Sequence, residues 1–130
     1  MLGDHDIIAT LAVKDLKVAR DFYEGLLGFS SRGDVPEGVL YASGSCSFLV
    51  YPSSFAGTNK ATAMSFQVPG SAFDAEVDAL RGAGVTFQTF DAPGITWSDG
   101  VASMGENARG VWFEDPDGNI LNVETGVSGD

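Results

Sequence analysis

One order of elements is written twice into this chain, and that repeat limits the fold more than any other feature. Ile7–Val13 (IIATLAV) is apolar and reads as a buried strand. Asp15 is placed to cap a helix running to about Leu27. Leu16, Ala19, Phe22, Tyr23, Leu26 and Leu27 recur at helical spacing, and Gly28 suits the C′ position. Phe29–Arg32 reads as a short strand, and Val39–Ala42 with Cys46–Tyr51 as a hairpin around Ser43-Gly44-Ser45. Pro52–Thr62 is a polar junction, after which the pattern restarts. Ala63–Val68 alternates as a strand, and Ser71 is the expected N-cap of a helix to Ala83 that carries Phe73, Val77 and Leu80 on one face. Val85–Phe90 reads as the next strand, Asp91–Arg109 as a long loop, and Gly110–Glu124 as a closing hairpin. Each half is β-α-β-β-β, with a period of about 55 to 60 residues; two copies of that length make a pseudo-symmetric domain, not a solenoid.

The expected organisation is a single α+β domain over residues 1–130. Its first module covers about 7–52, its linker about 53–62 and its second module about 63–125. No apolar run approaches the length of a membrane span or a secretory h-region, and the lone Cys46 excludes an internal disulfide, so a cytoplasmic, membrane-free protein is expected. The seven basic residues are scattered against 18 acidic ones, giving a net charge of −11, which excludes nucleic acid as a partner because phosphate binding needs a basic footprint. The acidity serves solubility or steers cationic ligands.

Two motifs carry a resemblance. Val13-Lys14-Asp15-Leu16, Ala19-Arg20-Asp21-Phe22-Tyr23 and Leu27-Gly28-Phe29 lie in the first module, and Phe113-Glu114-Asp115-Pro116-Asp117-Gly118-Asn119 in the second. In order and at this separation they resemble the signatures of the vicinal oxygen chelate superfamily, which includes glyoxalase I, extradiol dioxygenases and bleomycin-resistance proteins. The resemblance implies two paired modules forming an eight-stranded open cavity with helices outside, and a homodimer as the assembly.

Strand alternation gives the expected lining. Ile8, Thr10 and Ala12 face the cavity on the first strand, and Ala63, Ser65 and Gln67 on the fifth. Ile120, Asn122 and Glu124 face it on the last strand. On the fourth strand both phases are apolar; Phe48 is taken as inward, with Leu49 the fallback. Metal-dependent family members place one ligand, mostly His or Glu, on each of these four strands. Carried onto this chain, those positions fall on Ile8, Phe48, Ala63 and Asn122. Three lack a donor atom, the fourth is a neutral amide, and the only histidine, His5, lies in the N-terminal lead-in. A transition metal needs converging imidazole, carboxylate or thiolate ligands, so neither a metal nor another cofactor is expected.

A small-molecule binding protein is the leading expectation, with an aromatic, cationic ligand such as an antibiotic or natural product, as the bleomycin-resistance branch implies. The expected contacts are Ile8, Thr10, Phe48, Phe55, Ala63, Ser65, Trp97, Met104, Trp112, Asn122 and Glu124, with Phe113 as the alternative to Trp112. The competing expectation is a glyoxalase-like lyase or isomerase, for which Glu124 is the catalytic candidate, and Glu106 or Asp99 could reach over the cavity. A third is a filled cavity serving only as a dimerisation scaffold.

Overall fold

The structure is a computed structural model, described over residues 1–126. It divides into two compact units. Unit 1 comprises residues 1–60 together with 115–119, and unit 2 residues 61–114 with 120–126.

Unit 1 is a four-stranded sheet under one helix. β1 (Ala9–Val13), β2 (Ser30–Val35), β3 (Gly38–Ser43) and β4 (Cys46–Pro52) lie in the order β1-β4-β3-β2, with β1 parallel to β4. Asp15 caps α1 (Leu16–Arg20) as expected, its carboxylate accepting from the Lys17 amide at 2.8 Å. The helix then widens into a π-helical turn over Asp21–Leu26 and ends at Gly28, whose φ of 79° only glycine adopts freely. Tyr23 hangs from that turn into an aromatic core, its ring centroid 5.8 Å from Tyr41 and 5.7 Å from Phe48. Close packing also fixes Gly38, where a Cβ would sit 2.1 Å from the Val50 carbonyl oxygen.

The Asp115–Asn119 turn, which joins the last two strands of the chain, belongs to unit 1. Gly118 stands at its fourth position with φ 81°, its amide bonded to the Asp115 carbonyl at 3.0 Å. Asp115 is buried yet well supplied with donors. One carboxylate oxygen accepts from the amides of Asp117 and Asn119 at 2.9 Å. The other accepts from the Tyr23 hydroxyl and Asn119 Nδ2 at 2.8 Å. Asn119 Nδ2 also reaches the Ala12 carbonyl at 2.9 Å, and the Lys14 amide meets Asp117 at 3.2 Å.

Unit 2 keeps the expected order of strand, helix and strands, but with one strand more after the helix and other segments forming them. β5 (Thr62–Gln67) and α2 (Gly70–Gly82) form as the periodicity requires, but α2 starts after Pro69, and Ser71 is not its cap. Val85–Phe90 is not a strand. Its one ladder contact is the bridge from the Gln88 amide to the Trp112 carbonyl, 2.8 Å. The supposed loop instead holds a hairpin, β6 (Ile95–Ser98) and β7 (Val101–Met104), turned by Asp99 and Gly100 at φ 50° and 78°. Two positive φ values in succession match the right-handed strand twist of a two-residue hairpin. With β8 (Ala108–Glu114) and β9 (Ile120–Thr125) the sheet runs β5-β9-β8-β7-β6, with β5 parallel to β9. Phe73 and Val77 of α2 are buried with Val111, Phe113, Leu121 and Val123, which together form the core of this unit.

Candidate functional site

The two units carry different shares of the expected lining. In unit 1, Thr10 is exposed and lies opposite Leu49 in the β1–β4 register, so those two share the face away from the helix. Phe48 does not face that side. It is buried in edge contact with Phe29 and beside Tyr23, on the helix-covered face, and Leu49 takes the outward position. Both phases of this strand are apolar, and the Tyr23 ring decides which one is buried. Ile8 precedes β1 and is 52% exposed, while Phe55 stands 76% exposed in the linker, its amide held by Ser53 Oγ at 3.1 Å.

Unit 2 gathers most of the remaining candidates on one face of its sheet. Cross-strand partners share a face. Trp97 lies opposite Ala102, Ala102 opposite Gly110, Gly110 opposite Glu124 and Glu124 opposite Gln67. A parallel row runs Trp112, Asn122, Ser65, and Met104 pairs with Ile95 and Ala108 on the same side. Arg109 and Thr125, one residue out of phase, lie on the other face under α2. Trp112 is thus the residue on the helix-free face, and Phe113 lies in the core. Ala63 falls in the bulge between Thr62 and Met64 and pairs with nothing on β9.

Three aromatic rings meet on this face. Phe90 stands edge-on to Trp97 at 5.2 Å and to Trp112 at 5.0 Å, and the two indoles are 6.0 Å apart. Each indole N–H is satisfied within the unit, Trp97 Nε1 by the Phe90 carbonyl at 3.1 Å and Trp112 Nε1 by Thr62 Oγ1 at 3.2 Å. The rings are therefore fixed in orientation, which leaves π surface for further contact. Gly110 lies beneath the benzo edge of Trp112: a Cβ there would come within 3.3 Å of Cη2 and equally close to Asn122 Nδ2. Beside the cluster a groove of about 320 Å³ is lined by Thr89, Phe90, Asp91 and Trp97. Phe90 was not among the expected contacts. Its signal was present, an aromatic directly before the long segment, but it was read only as the last residue of a strand over 85–90.

Asn122 is sealed, with 1% of its surface exposed and its Nδ2 donating to the Val111 carbonyl at 3.1 Å. Glu124 is half-buried, and Gln67 Nε2 donates to it at 2.6 Å. Neither loop carboxylate proposed for chemistry joins them by any hydrogen bond. Asp99 forms an ion pair with Arg81 at 3.4 Å, and Glu106 is exposed in the turn after β7.

A metal implied by the family resemblance does not fit these donors. With Leu49 in place of Phe48, the four positions offer two aliphatic residues, an alanine and an amide already committed to the backbone. Among the described residues no three His, Cys, Asp or Glu side chains converge. No helix among them is long and apolar enough to cross a membrane.

Comparison with known proteins agrees with this architecture. No curated protein sequence matches the chain. Among solved structures, a glyoxalase/bleomycin resistance protein/dioxygenase from Alicyclobacillus acidocaldarius aligns at 16% identity and TM-score 0.71, over 96% of this chain and 94% of its own. A lactoylglutathione lyase from Agrobacterium tumefaciens aligns at 17% and 0.67, over 97% and 96%. The fosfomycin resistance protein FosX from Mesorhizobium loti aligns at 14% and 0.66, over 95% and 93%. At such identities the likeness is one of fold. The profile of the Glyoxalase/Bleomycin resistance protein/Dioxygenase superfamily matches residues 6–123, and the chain belongs to that superfamily.

Proposed function

We propose that this protein is a metal-independent binder of a flat aromatic ligand bearing positive charge, such as an antibiotic or natural product that it sequesters. The observation that carries this reading is the Phe90–Trp97–Trp112 cluster beside a groove edged by Asp91. Fixed indole faces stack on planar and cationic groups, and a nearby carboxylate in a protein of net charge −11 favours a cation. The family resemblance suggests a homodimer as the working form, and the lone cysteine suits a cytoplasmic location.

Tryptophan fluorescence titrated with planar cationic antibiotics tests the reading. A saturable change is expected in the wild type, and its loss in Trp97→Ala. Signals unchanged across the whole panel refute the proposal, and stoichiometric Zn, Ni, Fe or Mn that resists chelation refutes its metal-free part.

A second reading, a glyoxalase-like lyase or isomerase, has one observation in its favour. Glu124 is a carboxylate fixed by Gln67 on the same face as the aromatic cluster. In that case Glu124→Gln abolishes turnover while leaving ligand binding intact; retained turnover excludes Glu124 as the acid or base.

A further inference from the structure

The groove beside Trp97 has two walls. One is the irregular segment over residues 87–91, whose ladder contact is the Gln88 bridge to Trp112. The other is the β6–β7 hairpin, and its tip overhangs the sheet. The β7–β8 register ends at Ala102 opposite Gly110, so residues 98–101 extend beyond the ladder with β8. Trp97, opposite Ala102, stands at the root of that overhang. A two-stranded ribbon without a third strand is marginally stable alone, so whatever fastens the tip decides where the indole lies.

Arg81, in the last turn of α2, holds both walls. Its Nη2 donates to the Asp99 carbonyl, and its Nη1 pairs with the Asp99 carboxylate at 3.4 Å. The same guanidinium lies 5.4 Å from the centre of the Phe87 ring, and Phe87 packs in turn on Phe113 of the core, with centroids 6.5 Å apart. Asp99 is two positions after Trp97, and Phe87 is two before Thr89, so each contact is close in sequence to a residue lining the groove. The two walls meet at this point, since a Cβ on Gly100 would stand 3.4 Å from Phe87 Cβ. An exposed ion pair alone contributes little. A planar guanidinium that serves a carbonyl, a carboxylate and a ring together is a task for which lysine is a poor substitute.

We infer that Arg81 is a positioning residue for the aromatic site, setting the separation of the groove walls and the pose of Trp97 without touching the ligand. The hydrogen bond from Trp97 Nε1 to the Phe90 carbonyl, 3.1 Å, crosses the same groove and holds only while the walls keep this separation. The end of α2 is thereby coupled to a site on the other face of the sheet. The consequence for affinity rests on the binding function proposed above; the clamp itself does not.

The test compares the full chain with Arg81→Met, which keeps an unbranched stem and helix propensity but removes the guanidinium. Hydrogen exchange at the two indole N–H groups, read in ¹H–¹⁵N spectra, carries its own control. Trp97 Nε1 depends on the groove, whereas Trp112 Nε1 is held by Thr62 Oγ1 on β5, at the opposite edge of the sheet. Trp97 exchange is expected to accelerate about tenfold or more and Trp112 exchange to change less than about twofold. Affinity for the planar cation proflavine should fall about tenfold, and Arg81→Lys should recover little of either effect. Equal acceleration of both indoles is a plain loss of stability and overturns the inference, as does unchanged Trp97 exchange or full recovery by lysine. Faster Trp97 exchange with proflavine affinity held within about twofold overturns the role in binding. Proflavine bound by neither protein refutes the binding reading, and the contrast between the two indoles then decides the clamp alone.

Discussion

Removing the Tyr23 hydroxyl isolates one interaction in unit 1. Tyr23→Phe keeps the ring and its packing against Phe22, Tyr41 and Phe48, with centroids at 5.1, 5.8 and 5.7 Å. It deletes a 2.8 Å hydrogen bond to a buried carboxylate. Asp115 would still accept from the Asp117 amide and twice from Asn119, so it is not stranded. Hydrogen bonds to charged groups contribute about 1.5–3 kcal/mol, and that is the expected loss. In a chain of this size it corresponds to a fall in Tm of roughly 5–10 °C. Asp115→Asn should cost more, about 3 kcal/mol or above, because its amide turns a donor toward groups that are themselves donors. In a double-mutant cycle by urea denaturation the two changes should couple by at least about 1 kcal/mol. Coupling below about 0.5 kcal/mol would show that the Tyr23–Asp115 contact does not tie the turn to the helix.

The remaining predictions concern pH and packing. Burial, and then the charge of Asp115, pushes the Tyr23 phenol well above its ordinary value of 10.0; burial and the hydrogen bond to Glu24 do the same for Tyr41. A raised folded-state value gives stability that is complete below the unfolded value and lost as pH climbs past it. Wild-type stability should therefore decline above about pH 10, with both phenolates appearing in ultraviolet difference spectra together with unfolding; their titration in a still-native protein near pH 10 contradicts the structure. Gly110→Ala puts a methyl 3.3 Å from Trp112 Cη2 and Asn122 Nδ2. It should cost about 1–3 kcal/mol and shift the tryptophan emission; an unchanged spectrum and melting curve refute the placement of that indole.

Where sequence patterns succeed and fail here has a physical basis. β1 and α2 each bury one face and β5 half-buries one, so their alternation or helical period is visible in Leu11 and Val13, in Met64 and Phe66, and in Phe73 and Val77. Val85–Phe90 carries as much apolar character, yet a strand needs a partner edge, and the β6–β7 hairpin takes the available edge beside β8. That hairpin was legible in Ser98-Asp99-Gly100-Val101, since Asp-Gly is among the strongest two-residue turn signals. The polar composition around it outweighed the signal. The candidate site was readable in its residue types, Trp97, Trp112 and Glu124. Its geometry was not, because the meeting of Phe90 with both indoles depends on a cross-strand register that local pattern does not encode.

The placement of residues 115–119 within unit 1 has a consequence for synthesis. Until they emerge, Tyr23 has no carboxylate to bond and the Ala12 carbonyl lacks its amide from Asn119. Between Lys60 and Asp115 the ribosome adds some 55 residues, about 3–11 s of elongation at typical rates. The first sheet and helix therefore gain these polar contacts only after most of the second half has been made.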